Sequence, residues 1–215
     1  MASCPRVSEN CFDCSFGTSA ESAVLLQRQV SPSVHAIRKP ALVMHDCDDT
    51  VLGPWRYIMA NPGKNVRSRL IDAFQLWLDV PAPAIRVIKE IVGYMHNASL
   101  LIDDIEDNSR LRRGRPVAHK IYGLPNTLNC ANYVYFMALE RCHTVAATLA
   151  GRDPAATARV RLRAMDVFVR EMLNLHRGQG LDILWREQAQ CPTEAEYKAM
   201  VLDKTGGLFR VAVGL

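Results

Sequence analysis

No apolar run in this 215-residue chain approaches the roughly 20 residues that a membrane-spanning helix needs. The richest short stretch, Tyr133 to Leu139, is about a third of that length, so no integral membrane segment is expected. The N-terminus has neither the basic region nor the long apolar stretch of a secretory signal. The seven cysteines, at positions 4, 11, 14, 47, 130, 142 and 191, are odd in number and scattered. That argues against a disulfide framework and suits free, packed thiols in a reducing compartment, so a cytoplasmic location is expected. Cys11-x-x-Cys14, with Cys4 nearby, lacks the second CxxC pair or paired histidines that would complete a structural zinc site. The net charge of +4 is too mild to argue for nucleic acid. The chain also lacks strand-like alternation and internal repeats.

What remains is helical periodicity. Residues 1–48 are rich in Ser, Cys and Val without a sustained period, and read as a poorly ordered leader with a short helical attempt near Ala23 to Gln29. From Leu52 onward the pattern is helical almost without interruption, and residues 49–215 read as one domain with a sizeable core. Pro62-Gly63 is a turn, and residues 64–78 carry one apolar helical face. A long helix is expected from Ala84 to Asp107, a connection from Gly114 to Asn126, and a further helix over 127–149. Asp153 then caps a long helix that has Pro154 at its first position and runs to about Glu187. Thr193-x-x-Glu196 is a capping box that opens another helix. The expected class is an all-α bundle.

The most informative stretch is Asp103-Asp104-Ile105-Glu106-Asp107, four acids in five positions closing an apolar run. In a helix, Asp103 and Asp107 lie one turn apart on one face, with Asp104 close by and His96 two turns earlier on the same side. Carboxylates at the end of a buried helix are costly unless a cation meets them. A Mg²⁺ ion suits such a site, because it takes carboxylate oxygens and keeps positions for water and substrate phosphate. In isolation, an acidic and solvated helix end looks the same.

Cationic groups flank the acids. Gly63-Lys64 and Arg67 stand at a helix N-terminus, with Lys64 and Arg67 three apart on one expected face; a basic first turn runs against the macrodipole and therefore suggests an anion. Arg110, Arg112, Arg113 and Arg115 form a second group that would repel itself without acids or phosphate nearby. In Gly178-Gln179-Gly180-Leu181-Asp182, two glycines inside a long helix suggest close approach of a ligand or another helix, and Gln179 and Asp182 can share one pocket. Lys204-Thr205-Gly206-Gly207 places polar groups on an apolar helix, although Thr205 could simply bond back to its own turn. His119, His143 and His176 have bland readings as packed or surface histidines. Acid, base and apolar wall together suggest a substrate with a diphosphate head and a greasy tail.

Taken in order, these motifs resemble the trans-isoprenyl diphosphate synthases, and among them the eukaryotic geranylgeranyl diphosphate synthases. The resemblance covers residues 50–215 and includes Leu52-Gly53-Pro54-Trp55, Pro62-Gly63-Lys64, the stretch from His96 to Asp104, Arg112-Arg113-Gly114, Ala131-Asn132-Tyr133, Gly178 to Asp182 and Lys204 to Gly207. It implies an isoprenoid-synthase-type helical bundle and a Mg²⁺-dependent prenyltransferase. That enzyme condenses isopentenyl diphosphate with an allylic diphosphate, farnesyl diphosphate, to give geranylgeranyl diphosphate. By the same resemblance Asp103 and Asp107 hold Mg²⁺ with Asp104 in support, and Arg112 and Lys204 bind the allylic diphosphate. Gly63, Lys64, Arg67, His96 and Arg113 cradle isopentenyl diphosphate. Gln179 and Thr205 lie near the developing cation, and Asp182 near the metal waters. Ala98 and Ser99, five and four positions before Asp103, are the expected chain-length determinants. A homo-oligomer, dimer or higher, is implied as well.

The family carries a second aspartate-rich motif further along, and these 215 residues contain none. The expectation is therefore a domain lacking its C-terminal helices. The competing reading is a truncated, non-catalytic synthase-like subunit that pairs with an intact synthase. A class I terpene cyclase shares the acidic motif but needs no second diphosphate cradle, which Lys64, Arg67 and Arg113 supply here.

Overall fold

The computed structural model describes residues 49–150 and 153–215, all within the compact unit Leu42–Leu215. The expected leader, the short helix near Ala23 and the cysteines at 4, 11, 14 and 47 lie outside the described residues. In chain order the elements are α1 (Gly53–Met59), α2 (Val66–Leu78), α3 (Ala82–Glu106), β1 (Leu111–Arg112), β2 (Arg115–Pro116), α4 (Ala118–Tyr122), α5 (Leu124–Ala150), α6 (Pro154–Glu187), α7 (Glu194–Lys204) and α8 (Gly207–Gly214). The fold is all-α, as the periodicity predicts, apart from one small antiparallel ribbon.

The long helices α3 and α5 pack along each other, and α6 lies against α5 and α7. Their facing stripes make the core. One cluster gathers Ile88, Ile91 and Met95 of α3 with Cys142 and Val145 of α5, Phe168 of α6 and Val211 of α8. A second joins Ala98 and Leu101 of α3 to Cys130, Ala131 and Val134 of α5, with Ile58 of α1 and its N-cap Leu52. Each fully buried aliphatic side chain contributes roughly 1.5–3 kcal/mol, so these stripes, rather than intrinsic propensity, fix α3 in place. No helix among the described residues is long and apolar enough to cross a membrane.

Several boundaries differ from the sequence expectation for physical reasons. The connection predicted over 114–126 is instead the ribbon, the short helix α4 and the first turn of α5. Gly123, with φ of 82°, breaks the chain between the helices. Pro125 sits in the first turn of α5, where its missing N–H costs nothing. Lys64 precedes α2, whose N-cap is Asn65 in the left-handed region, so Lys64 and Arg67 do not share a helical face. Gly206 lies between α7 and α8 and Gly207 opens α8, so the motif spans a helix junction rather than one continuous helix. The caps are as expected: the Asp153 side chain accepts from Ala155 N–H, and Thr193 and Glu196 form a capping box.

Candidate functional site

The acidic motif is the last turn of α3 and its C-cap, Asp107. Carboxylates there oppose the helix dipole, whose negative end lies at the C-terminus, and α3 has no basic residue in that turn. The cations arrive from other elements. Arg112 of β1 donates from Nε to Asp104 at 2.8 Å and from a terminal nitrogen to Asp103 at 3.1 Å. Lys204, at the end of α7, bonds Asp182 at 2.6 Å and lies 3.5 Å from Asp103. Arg186 of α6 pairs with Asp107 and also donates to the Glu106 carbonyl at 3.2 Å. Gln179 of α6 donates to Glu106 at 2.7 Å and to Asp103 at 3.4 Å. Burial pulls Lys204 down, but its bond to Asp182 and the charge of Asp103 hold it above the ordinary lysine value.

The ribbon separates the two central arginines. Arg113 and Gly114 are its two loop residues, both with positive φ, 53° and 77°, and Arg112 pairs with Arg115. This is the backbone that a tight two-residue hairpin requires. It sends Arg112 to the acidic motif and Arg113 to the other side, where its guanidinium bonds the Asn61 carbonyl and lies over Gly63. A Cβ on Gly63 would come within 2.8 Å of that guanidinium. The Asn61 amide donates to the carbonyls of Arg112 and Arg113, each at 3.4 Å, and ties the ribbon to the loop before α2. Arg110 and Arg115 remain exposed on the ribbon's flanks.

Two cavities result. The larger, about 700 Å³, is lined by Gly63, Lys64, Arg67, His96 and Arg113 together with Trp55 and Tyr94. Arg67 donates to His96 Nε2 at 2.9 Å. Burial, then the charges of Arg67, Arg113 and Arg112, holds the His96 pKa down at about 3, so the ring is neutral and accepts. Burial and Arg113 also lower Arg67, and Arg67 Nε has no partner among the described residues. A buried donor without an acceptor, inside a cluster of like charges, is a seat for an anion. The smaller cavity, about 150 Å³, shares Arg67 and His96 with the first. Asp103, Glu106, Gln179, Lys204 and Thr205 line its polar end, and Leu100, Ile102, Leu175 and Leu208 supply apolar wall.

The polyprenyl synthetase family model matches residues 48–215. A geranylgeranyl pyrophosphate synthase of Metarhizium anisopliae is 49% identical over 168 residues, 78% of this chain and 46% of that protein. One of Penicillium paxilli is 44% identical over 192 residues, 86% of this chain and 48% of that protein. Another, of Macrophomina phaseolina, is 47% identical over 184 residues, 86% and 52% respectively. This chain belongs to the polyprenyl synthetase family. It spans about half the length of these curated relatives.

For a polyprenyl synthetase the arrangement brings most of the expected residues together. Gly63, Lys64, Arg67, His96 and Arg113 meet at one cavity, and Asp103, Gln179, Lys204 and Thr205 at the other. Asp182 joins the second group through Lys204, and Asp107 faces Arg186 at its edge. The two small residues of α3 part company. Ser99 lines the smaller cavity, whereas Ala98 is fully buried against α5 and does not reach it. Ala98 points instead toward α5, among Leu101, Cys130, Ala131 and Val134.

Glu106, Arg186, Tyr135 and Asn61 have no assigned role in the sequence reading. Glu106 sits three after Asp103, and Arg186 seven after Gln179, so a helical projection of each motif contained them. His176 also lines the smaller cavity, with its ring 6.0 Å from that of Tyr135. Among the described residues no three His, Cys, Asp or Glu side chains form a metal cage. Asp103 and Asp107 lie one turn apart at the end of α3, with Asp103 lining the smaller cavity and Asp107 paired with Arg186.

Proposed function

We propose that the protein is a prenyltransferase that joins isopentenyl diphosphate to an allylic diphosphate, farnesyl diphosphate, and releases geranylgeranyl diphosphate. The observation that carries this is the pair of adjoining cavities, each with its own cations, meeting at Arg67 and His96 with the acidic end of α3 on one side. The names of the relatives supply the twenty-carbon product.

Asp103 and Asp107 would hold Mg²⁺, which supplies charge neutralisation to the departing pyrophosphate. Arg112 and Lys204 grip the allylic diphosphate, with Asp104 and Asp182 fixing those two cations in place. Lys64, Arg67 and Arg113 hold the diphosphate of isopentenyl diphosphate, and neutral His96 buttresses Arg67. The allylic C–O bond breaks and its electron pair leaves with pyrophosphate. The alkene of isopentenyl diphosphate attacks the carbon so exposed, and transfer of a proton to the released pyrophosphate restores a double bond. Gln179 and Thr205 present oxygen atoms near that carbon, and Leu100, Ile102, Leu175 and Leu208 exclude water that would quench it. The reading includes a cytoplasmic protein that works as a homo-oligomer, which sedimentation would measure.

The test is product formation by the complete protein from farnesyl and isopentenyl diphosphates, with and without Mg²⁺. Asp103→Ala and Asp107→Ala should each lower turnover by about three orders of magnitude or more, because several kcal/mol of charge stabilisation are lost. Near-normal turnover in either variant would sink the assignment.

A further inference from the structure

Glu106 is the one acid of the motif that the metal scheme leaves idle, and its carboxylate meets no cation among the described side chains. It accepts instead from Gln179 Nε2 at 2.7 Å. Gln179 is buried on α6, and the same nitrogen lies 3.4 Å from Asp103 Oδ1. A side-chain amide has one donating and one accepting end. Two carboxylates can only accept, so they select the donating end and leave the carbonyl oxygen of this cavity-lining residue unengaged by either. Flipping the amide would set its oxygen against both carboxylates.

Asp103 alone is a poor anchor. Its oxygens are shared with Arg112 at 3.1 Å and Lys204 at 3.5 Å, and its contact with Gln179 is the longer of the two. Glu106 therefore decides which end of the amide faces the cavity. An oxygen there stabilises a carbon becoming cationic, and an amino group there opposes it.

We infer that Glu106 is a positioning residue for prenyl transfer, acting by locking the Gln179 amide with its carbonyl oxygen toward the reacting carbon. The inference rests on the prenyltransfer reading above. Glu106→Ala frees the amide. It should lower kcat at least about tenfold while leaving the KM of both diphosphates and the Mg²⁺ requirement within about twofold, since the loss falls on the transition state. Glu106→Gln still offers an accepting oxygen but can also donate, so its activity should fall between that of Glu106→Ala and the unaltered protein. In a Gln179→Leu background, Glu106→Ala should cost nothing further, because the two residues act as one unit.

A readout without substrate accompanies these kinetics. In protein labelled with ¹⁵N-glutamine, the Gln179 side-chain amide, assigned by its absence in Gln179→Leu, should show one strongly hydrogen-bonded proton. That signature should vanish in Glu106→Ala and persist in Glu106→Gln. Equal damage from Glu106→Ala and Glu106→Gln would mean that the charge acts directly, and would overturn the inference. Additive losses in the double variant, or an amide signal indifferent to Glu106→Ala, would also overturn it. Failure of the unaltered protein to join the two diphosphates would strike the prenyltransfer reading instead, while the amide signal still reports on the contact itself.

Discussion

At the residue scale, His96 reports on the charge gathered around the larger cavity. Burial and the neighbouring arginines hold its pKa at about 3, against roughly 6.5 in an unfolded chain. The sign follows from linkage: below about pH 6.5 the unfolded chain takes up a proton that the folded ring refuses, so this residue costs stability as pH falls toward 3. An anion among Lys64, Arg67 and Arg113 would offset the charges that hold the ring down. Inorganic pyrophosphate should therefore move the His96 titration upward, as followed by NMR of the imidazole. A midpoint unmoved by saturating pyrophosphate would show that the cluster is not an anion seat. The sequence offered the members of this cluster but not their depth, because charge repulsion inside a cavity depends on distances that spacing does not contain.

At the element scale, the contact between α6 and α7 sets where Gln179, Asp182 and Lys204 meet. Gly178 permits it, since a Cβ there would stand 2.4 Å from the backbone nitrogen of Lys204 and 2.9 Å from the Met200 carbonyl oxygen. Gly180 faces open space, so the two glycines of one motif have opposite meanings. Gly178→Ala should destabilise by about 2 kcal/mol through overpacking against backbone, and turnover should fall with it as Lys204 is displaced. Gly180→Ala should stabilise by up to about 1 kcal/mol, the helix propensity gained. Denaturant unfolding separates these outcomes, and equal effects would mean that the helices do not approach at Gly178. The long helices and both caps were legible in the sequence, since apolar period and capping chemistry are local. The ribbon at 111–116 was not, because four residues of ladder carry no alternation, and its arginines read equally well as loop. The start of α2 was misplaced because Asn65 caps it through a left-handed backbone without a side-chain bond. The motif residues were legible by type and order, whereas Glu106 and Arg186 acquire partners only when α3 and α6 come together.

At the scale of the whole molecule, the proposed division of labour between the two cavities can be tested. Lys64→Ala and Arg67→Ala should raise the KM for isopentenyl diphosphate far more than that for the allylic substrate, and Arg112→Ala should do the reverse. Equal responses to all three would end the two-cradle scheme. The wall of the smaller cavity should set product length, because a filled tunnel stops further addition. Ser99 faces that space, and a phenyl ring there would occupy much of its roughly 150 Å³ while leaving the acidic end of α3 one turn away untouched. Ser99→Phe should therefore shift the product from twenty to fifteen carbons, read by chromatography after incubation with dimethylallyl and isopentenyl diphosphates. Ala98→Phe should behave differently. Ala98 is fully buried among Leu101, Cys130, Ala131 and Val134, so a large side chain there forces α3 and α5 apart at a cost of about 1–3 kcal/mol. The expected result is a less stable protein whose remaining product is still mainly twenty carbons long. If Ala98→Phe shortened the product and Ser99→Phe did not, the growing chain would run between α3 and α5, and the cavity bounded by Leu100, Leu175 and Leu208 would not be its path.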